Sequence, residues 1–411
     1  MRRKEVTILA QKICGLLTIA LLATLIWIVE SPGKQTLRVT FSLAESEWRV
    51  VRTEILKPFE QNFQCTVEAV EVSQQDLPKL LEALSLGGRM NIDVFGLDNM
   101  QLAILLKKGL VQDLSSEEKM IPDQVVPALI EAGRFEGKLY FMPYRPNVQI
   151  VYYLAPRFKQ YGLAPPRTWD ELYDVAKTFY EKEGVGRVLI KGVGGIPTTT
   201  QMYEFIASAG GNPLTFSDQG NIDTFTFVQK LWKYVAPDSR KAKYDTSNDY
   251  LAREACYMMQ NWPFGYRLLV KEYGKTDVMV YGGFAGPVRR AHVIGGEVLA
   301  IPVGAPNRDL ALTFVRYLQS KEVQQKLVTN LGWPSIRTDA YGQVPDWMKP
   351  QFEAVKEALQ YGIFRANVPY WTEFNKLFNE AFVRIVINDA SVRSTLDEYH
   401  QKMEMVKNRY E

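Results

Sequence analysis

The chain has 411 residues, 46% of them hydrophobic and 12% aromatic, enough for two large lobes or two to three domains. Its 49 basic and 46 acidic residues leave a net charge of +3, and no basic stripe is long enough to track a phosphate backbone, which argues against a nucleic-acid partner. The two histidines, His292 and His400, and three cysteines, Cys14, Cys65 and Cys256, fall at no zinc-site spacing and form no CxxC, so neither a metal nor a cofactor is expected.

At the amino end Arg2, Arg3, Lys4 and Lys12 precede an uncharged run from Ile13 to Val29. At 1.5 Å rise per residue this run reaches about 25 Å, the short limit for a bilayer span. The basic flank holds the amino end inside and exports the chain beyond Val29. No small-x-small cleavage site comes after Val29, and Cys14 stands at the wrong end of the run for lipidation. A retained membrane anchor over residues 1–35 is expected, with a cleaved signal peptide as the alternative. Cys65, in a strand-like run, and Cys256, placed in a helix, are expected as two separate buried thiols.

Downstream, strand-like and helix-like runs alternate: a strand from Leu37 to Phe41, a helix from about Trp48 to Phe63, a strand from Cys65 to Val72 and a helix from Leu77 to Leu86. A buried strand comes next from Ile92 to Phe95, then a helix from Met100 to Lys108 that Gly109 stops. Such repeats predict parallel units in a doubly wound α/β layer. From Tyr140 to Tyr153 the chain is strand-like again, broken by Pro143 and Pro146; Tyr152 and Tyr153 point to opposite faces and cannot chelate one ion together. Thr168-Trp-Asp-Glu171 reads as a capping box opening a helix.

Gly192-Val-Gly-Gly195 lacks the dinucleotide-binding spacing and reads as a loop ahead of a helix from Thr200 to Ser208. With no Gly-x-Ser-x-Gly elbow and no Walker loop, the chain is read as a binding protein and not an enzyme. A helix from Arg253 is expected to deliver Asn261-Trp262-Pro263 into a loop, and Gly295-Gly296 opens the next strand. An aromatic plate beside closely approaching backbone suits a polar ligand with apolar faces, such as a sugar. The last part of the chain reads as helices from Gln351 to Tyr361, Thr372 to Ile387 and Ser394 to Arg409.

Five segments in this order carry a family resemblance. They are Asn91-Ile-Asp-Val-Phe-Gly-Leu-Asp98 with Gly109-Leu-Val-Gln-Asp-Leu114; Gly137-Lys-Leu-Tyr-Phe-Met-Pro-Tyr144; and Tyr152-Tyr-Leu-Ala-Pro-Arg-Phe158 with Gly162-Leu-Ala-Pro-Pro-Arg-Thr-Trp-Asp-Glu-Leu172. The fourth is Asn261-Trp-Pro263 with Gly295-Gly296, and the last runs from Phe314 to Gln325 and on through Gly332-Trp-Pro-Ser-Ile-Arg337. From Leu37 to about Lys407 the chain resembles extracellular solute-binding proteins of the carbohydrate ABC-importer group, similar to maltose, trehalose and glycerol-phosphate binding proteins. The resemblance implies a periplasmic-binding-protein-like α/β fold. Two doubly wound lobes would be joined by a multi-strand hinge, with a ligand cleft between them and a helical C-terminus. Lobe 1 would take residues 36–145 and 296–332, and lobe 2 residues 146–295 and 333–411. The chain would cross near Tyr144 to Val148, Ile294 to Leu299 and Trp333 to Arg337.

The same resemblance implies ligand contacts from Glu45 or Glu47 and Asp98 in the first lobe. From the second it implies Tyr144, Asn147, Trp262, Tyr266 and either Tyr370 or Trp371, with Gly295 and Gly296 at a crossing and Arg337 reaching from the third. Carboxylates there would accept charge-assisted bonds from hydroxyls. Two departures bear on the ligand: Asn147 stands where many relatives place an Asp, and Glu297 where several disaccharide binders place an aromatic. Both point to a smaller or more polar ligand, such as a monosaccharide, a sugar-polyol or a glycoside with a short aglycone. A phosphorylated ligand is disfavoured, because Arg145 and Arg337 are the basic residues expected near the cleft. The implied partners are a sugar, the permease subunits of an ABC transporter and, through residues 1–35, the extracytoplasmic face of the bacterial cytoplasmic membrane, with the protein itself a monomer. The alternative is an anchored sugar sensor signalling to a histidine kinase or chemoreceptor.

Overall fold

The computed structural model describes residues 34–43, 45–73 and 76–410; the apolar run from Ile13 to Val29 lies outside them. Among the described residues no helix is long and apolar enough to cross a membrane. The strands are β1 (Thr36–Phe41), β2 (Thr66–Glu71), β3 (Val94–Asp98), β4 (Arg134–Phe135), β5 (Lys138–Leu139), β6 (Met142–Val148), β7 (Ile150–Leu154), β8 (Val188–Leu189), β9 (Met258–Asn261), β10 (Val278–Tyr281), β11 (His292–Ala300) and β12 (Gly362–Phe364).

Two main sheets organise the molecule. In the first, β1 lies between β2 and β3 and runs parallel to both. Parallel neighbours need crossover connections, which the helical stretch 45–63 and the helix Leu77–Leu86 supply. Long β11 completes this sheet: its first residues pair with β12, its middle with β6 and its last with β3. The second sheet has the order β10-β7-β9-β8. In β7 Ile150, Val151, Tyr152 and Leu154 are all buried, an apolar run suited to a strand covered on both faces.

Each sheet has its own core. Phe41, Trp48, Phe59, Phe314 and Trp333 belong to the first; Phe158, Phe179, Phe205, Phe225 and Phe378 belong to the second. In the helix Arg308–Leu318 the buried residues Ala311, Phe314, Val315 and Leu318 recur at helical spacing, which turns one stripe onto the first core. Ser320 caps the next helix, Lys321–Leu331, by accepting from Val323 N, and Gly332 ends it in a left-handed conformation at φ 68° that a Cβ would strain.

The elements expected up to residue 108 are present with ends shifted by a few residues. Further on the structure departs from expectation. Residues 253–257 are not helical; the helix Tyr244–Ala252 ends earlier, and Asn261 closes strand β9. Tertiary burial decides this, because Met258, Met259, Gln260 and Asn261 are all covered between β7 and β8. Cys256 therefore sits at a strand entrance and not in a helix; it and Cys65 are buried free thiols. The expected helix to Tyr361 runs over Lys349–Leu359 and gives way to β12, whose extended backbone is fixed by pairing with β11. The capping box is displaced by one residue: Thr168 accepts from Glu171 N, but the Glu171 carboxylate accepts from Arg167 N.

Phe314 stands 4.9 Å from Phe59, edge to face, and is fully buried. Phe314→Ala should lower unfolding stability by about 3–5 kcal/mol through lost burial and the cavity left behind, measured by urea titration. Leu86→Ala, at a side chain 84% exposed, should fall within about 0.5 kcal/mol of the parent.

Candidate functional site

Between the two cores lies a cleft of about 770 Å³, walled by the ends of β1 and β3 and the helix start near Glu47 on one side. On the other side stand residues 193–197, where the chain enters the helix Gly195–Ser208, the start of the helix Tyr244–Ala252 and Trp262. Its floor is the β6–β11 pair. Gly296 has φ 127°, and a Cβ there would run into the Arg145 carbonyl. The pairing register slips between Glu297 and Val298. Such an irregularity re-aims side chains, and here Glu297 lines the cleft from the floor.

Arg145 organises the charge. Its guanidinium lies 3.9 Å over the Trp333 ring, with Nη1 3.2 Å from a Glu47 oxygen and Nη2 3.0 Å from a Glu297 oxygen. Trp333 Nε1 donates to the same Glu47 oxygen at 2.7 Å. Burial pushes the Glu297 carboxyl up to about 7 against the pull of Arg145, with Glu47 and Asp98 adding to the rise. Burial also works against the Arg145 charge, but Glu297 and Glu47 outweigh it and hold the guanidinium above its usual value.

Asp98, at the end of β3, accepts from Met100 N and takes both oxygens to Arg365 Nη2 at 2.8 and 2.9 Å. Arg365 is buried and donates through Nη1 to Thr200 of the helix Gly195–Ser208, which ties the first sheet to the second core. Trp262, 7% exposed, comes directly after β9 and is held from three directions. Its carbonyl accepts from Tyr152 at 2.7 Å, the Tyr244 ring lies 5.8 Å away, and a Cβ on Gly295 would come within 2.6 Å of the indole. Burial pushes the Tyr244 hydroxyl up to about 12, so it is neutral at physiological pH.

Of the residues proposed from the sequence, Glu47, Asp98, Asn147, Trp262, Gly296 and Glu297 line this one cleft, with Gly295 directly behind Trp262. The others stand elsewhere. Glu45 is exposed at the start of its helix, outside the cleft lining. Tyr144 is buried in the first core, 5.6 Å from the Phe41 ring and 6.3 Å from Trp333. Tyr266 faces Trp347 in a stacked pair at 6.4 Å. Arg337 is spent on Asp339, the Gln319 carbonyl and Gln124. Tyr370 packs on Tyr410, and Trp371 lines a neighbouring chamber. Among the described residues the cations at the cleft are therefore Arg145, Lys243 and Arg365 beneath Asp98, not Arg337. Residues 193–197, Tyr244 and Asp245 were not anticipated in the cleft wall. The positive φ values of Gly194 and Gly195, 90° and 69°, mark the sharp turn by which the chain enters the helix Gly195–Ser208.

A two-sheet α/β molecule with an apolar plate and carboxylates around an interlobe cleft defines a binding protein. Residues 54–354 match the family of bacterial extracellular solute-binding proteins, and the chain belongs to it. The family is one of binding proteins, not of enzymes. A probable ABC transporter-binding protein of Deinococcus radiodurans is 28% identical over 302 residues, 66% of this chain and 70% of that protein. Among solved structures, maltose-bound MalE3 of T. maritima is similar with TM-score 0.81 at 20% identity, covering 90% of this chain and 99% of that one. An ABC transporter solute-binding protein of Agrobacterium radiobacter K84 in complex with ribitol gives TM-score 0.78 at 19% identity, covering 90% and 98%. The fold is that of these periplasmic binding proteins, with a helical C-terminus.

Glu297 supplies a pH test. A carboxyl whose folded value is raised from 4.5 to about 7 binds protons more tightly in the folded state. Its contribution therefore falls as pH rises through that window, and the loss is complete above about pH 7. Relative to the parent, Glu297→Gln should gain thermal stability from pH 5 to about pH 7 and then level off. A parent-to-variant difference that stays flat across the series would refute the assignment.

Proposed function

We propose that this protein binds a small carbohydrate or sugar-polyol in the interlobe cleft, closes over it as a monomer and hands it to the permease of an ABC importer. The observation that carries the reading is the pairing of one buried aromatic plate, Trp262, with the carboxylates Glu47, Asp98 and Glu297 around a single cleft. A sugar has the matching surface: an apolar C–H face for the indole and hydroxyls for the acceptors. Asn147 adds an oxygen that is buried at the cleft wall with no hydrogen bond among the described residues, and it could accept from a ligand hydroxyl. The reading fits the relatives, one named a multiple sugar-binding protein of Streptococcus mutans, 25% identical over 209 residues. Closure would take the chain's crossings at residues 144–148, 294–299 and 333–337 as hinges, with lobe limits near residues 145, 295 and 332.

Trp262→Ala tests the plate. Truncating a buried aromatic anchor costs about 2 kcal/mol or more, so affinity for a bound sugar, measured by isothermal titration, should fall roughly thirtyfold or further. A folded variant that binds its sugar as the parent does assigns Trp262 to packing alone.

We also propose that the run from Ile13 to Val29 is a retained anchor. Protein expressed in a bacterium should then stay with membranes after high-salt washing and keep its initiator end. Soluble periplasmic protein beginning near Ser31 to Lys34 would show a cleaved signal instead.

A further inference from the structure

The first sheet has two ends, and the cleft uses one of them. β1 and β3 are parallel, and their far ends supply Ser42, Leu43 and Asp98 to the cleft lining. At the opposite end the strand order β11-β3-β1-β2 brings four pieces of chain side by side. These are Lys34 and Gln35 ahead of β1, Phe63 and Gln64 ahead of β2, Leu86 to Asn91 ahead of β3, and residues 303–307 beyond β11. Backbone and side-chain bonds tie the row together: Thr66 N donates to the Gln35 carbonyl, Asn307 Nδ2 to the Thr36 carbonyl and Asn307 N to Asp93.

This end is apolar and poor in free acid. Leu86 is 84% exposed, the highest value for a large apolar side chain among the described residues, and Val303 and Phe63 are also exposed. Single exposed apolar residues are ordinary, but three gathered at one end call for a partner. The exposed charges here are Lys34 and Arg89 against Asp309. The other carboxylates, Glu60 and Asp93, accept from backbone at Val67 N and at Arg38 N and Asn307 N. Arg308 is taken up by Gln112 and Glu117.

The preceding chain points to the partner. From Val29, the end of the apolar run, to Thr36, the start of β1, the chain reaches about 25 Å at full extension. An anchor ending at Val29 therefore keeps this end of the sheet within that distance of the bilayer core, and headgroups fill about 5–7 Å of it. Apolar side chains gain by entering the headgroup boundary, and each cation beside anionic lipid favours contact about fivefold.

Resting on the retained-anchor reading, we propose that this end of the first sheet docks on the anionic headgroups of the membrane that holds the anchor. Leu86 and Val303, flanked by Phe63, enter the headgroup boundary, and Lys34 and Arg89 meet phosphate. The cleft end of β1 then points away from the bilayer, open to ligand in solution.

The test uses the full chain in vesicles of phosphatidylethanolamine and phosphatidylglycerol, with nitroxide on a fraction of the headgroups. In a Cys14→Ser background, with the buried Cys65 and Cys256 left in place, a fluorophore is attached through Asn91→Cys or Lys182→Cys. Lys182 is exposed on the helix Trp169–Glu183 ahead of β8; β8 parallels β9, so this helix ends at the side of the second sheet away from Trp262. The nitroxide should quench the label at position 91 and spare the label at 182. Leu86→Glu combined with Val303→Glu should abolish that difference, and Arg89→Glu should weaken it, with melting temperatures near the parent's. Protein that leaves the vesicles in high salt overturns the anchor and the docking together. Anchored protein quenched equally at both labels overturns the docking and leaves the anchor standing. Quenching at position 91 that persists in the folded variants comes from tether length alone and also overturns the docking.

Discussion

The cleft depends on how closely β6 and β11 approach each other at Gly296. Only a residue without a Cβ lets the β11 backbone pass the Arg145 carbonyl at φ 127°. The register slip beside it places Glu297 on the floor of the cleft, and Arg145 is anchored on the adjoining strand. A substitution at Gly296 would disturb backbone spacing, the aim of Glu297 and the position of Arg145 together. Gly295 meets the same kind of demand from the other side, since its missing Cβ is the space in which Trp262 lies.

On that frame sits a buried cluster of Glu47, Arg145 and Glu297 with the Trp333 ring beneath the cation. Buried charges are expensive to desolvate, and a pair roughly offsets its own cost only when geometry and further hydrogen bonds are good. Burial raises the Glu297 carboxyl to about 7 even with Arg145 beside it. Trp262, by contrast, is satisfied by packing and offers mainly surface.

The two halves are also joined outside the hinge strands. Asp98 meets Arg365, Ala103 N donates to Asn367, and Lys107 donates to the Tyr410 carbonyl at 2.7 Å. These contacts hold the two walls of the cleft in the arrangement seen, with carboxylates on the first wall and the Trp262 indole on the second.

Local pattern determined a great deal. The alternation of β1 to β3 with their helices, the capping Thr168, the stop at Gly109 and the separate burial of Cys65 and Cys256 arise from periodicity and residue chemistry acting over a few neighbours. Resemblance in ordered segments picked out Asp98, Trp262 and Gly296. Tertiary structure alone decided the rest, because it depends on partners far apart in sequence. Residues 258–261 became a strand because β7 and β8 stand on either side, and Gly362–Phe364 did so because β11 offered an edge to pair with. Tyr144 and Arg337 carry the chemistry of a cleft, yet their surroundings turned them inward: Phe41 and Trp333 enclose the ring, and Asp339 and Gln319 hold the guanidinium. Arg365, which no motif marks, stands buried behind Asp98, a partner 267 residues earlier in the chain. Periodicity and composition see only near neighbours, and a charge finds its partner only after the chain has folded.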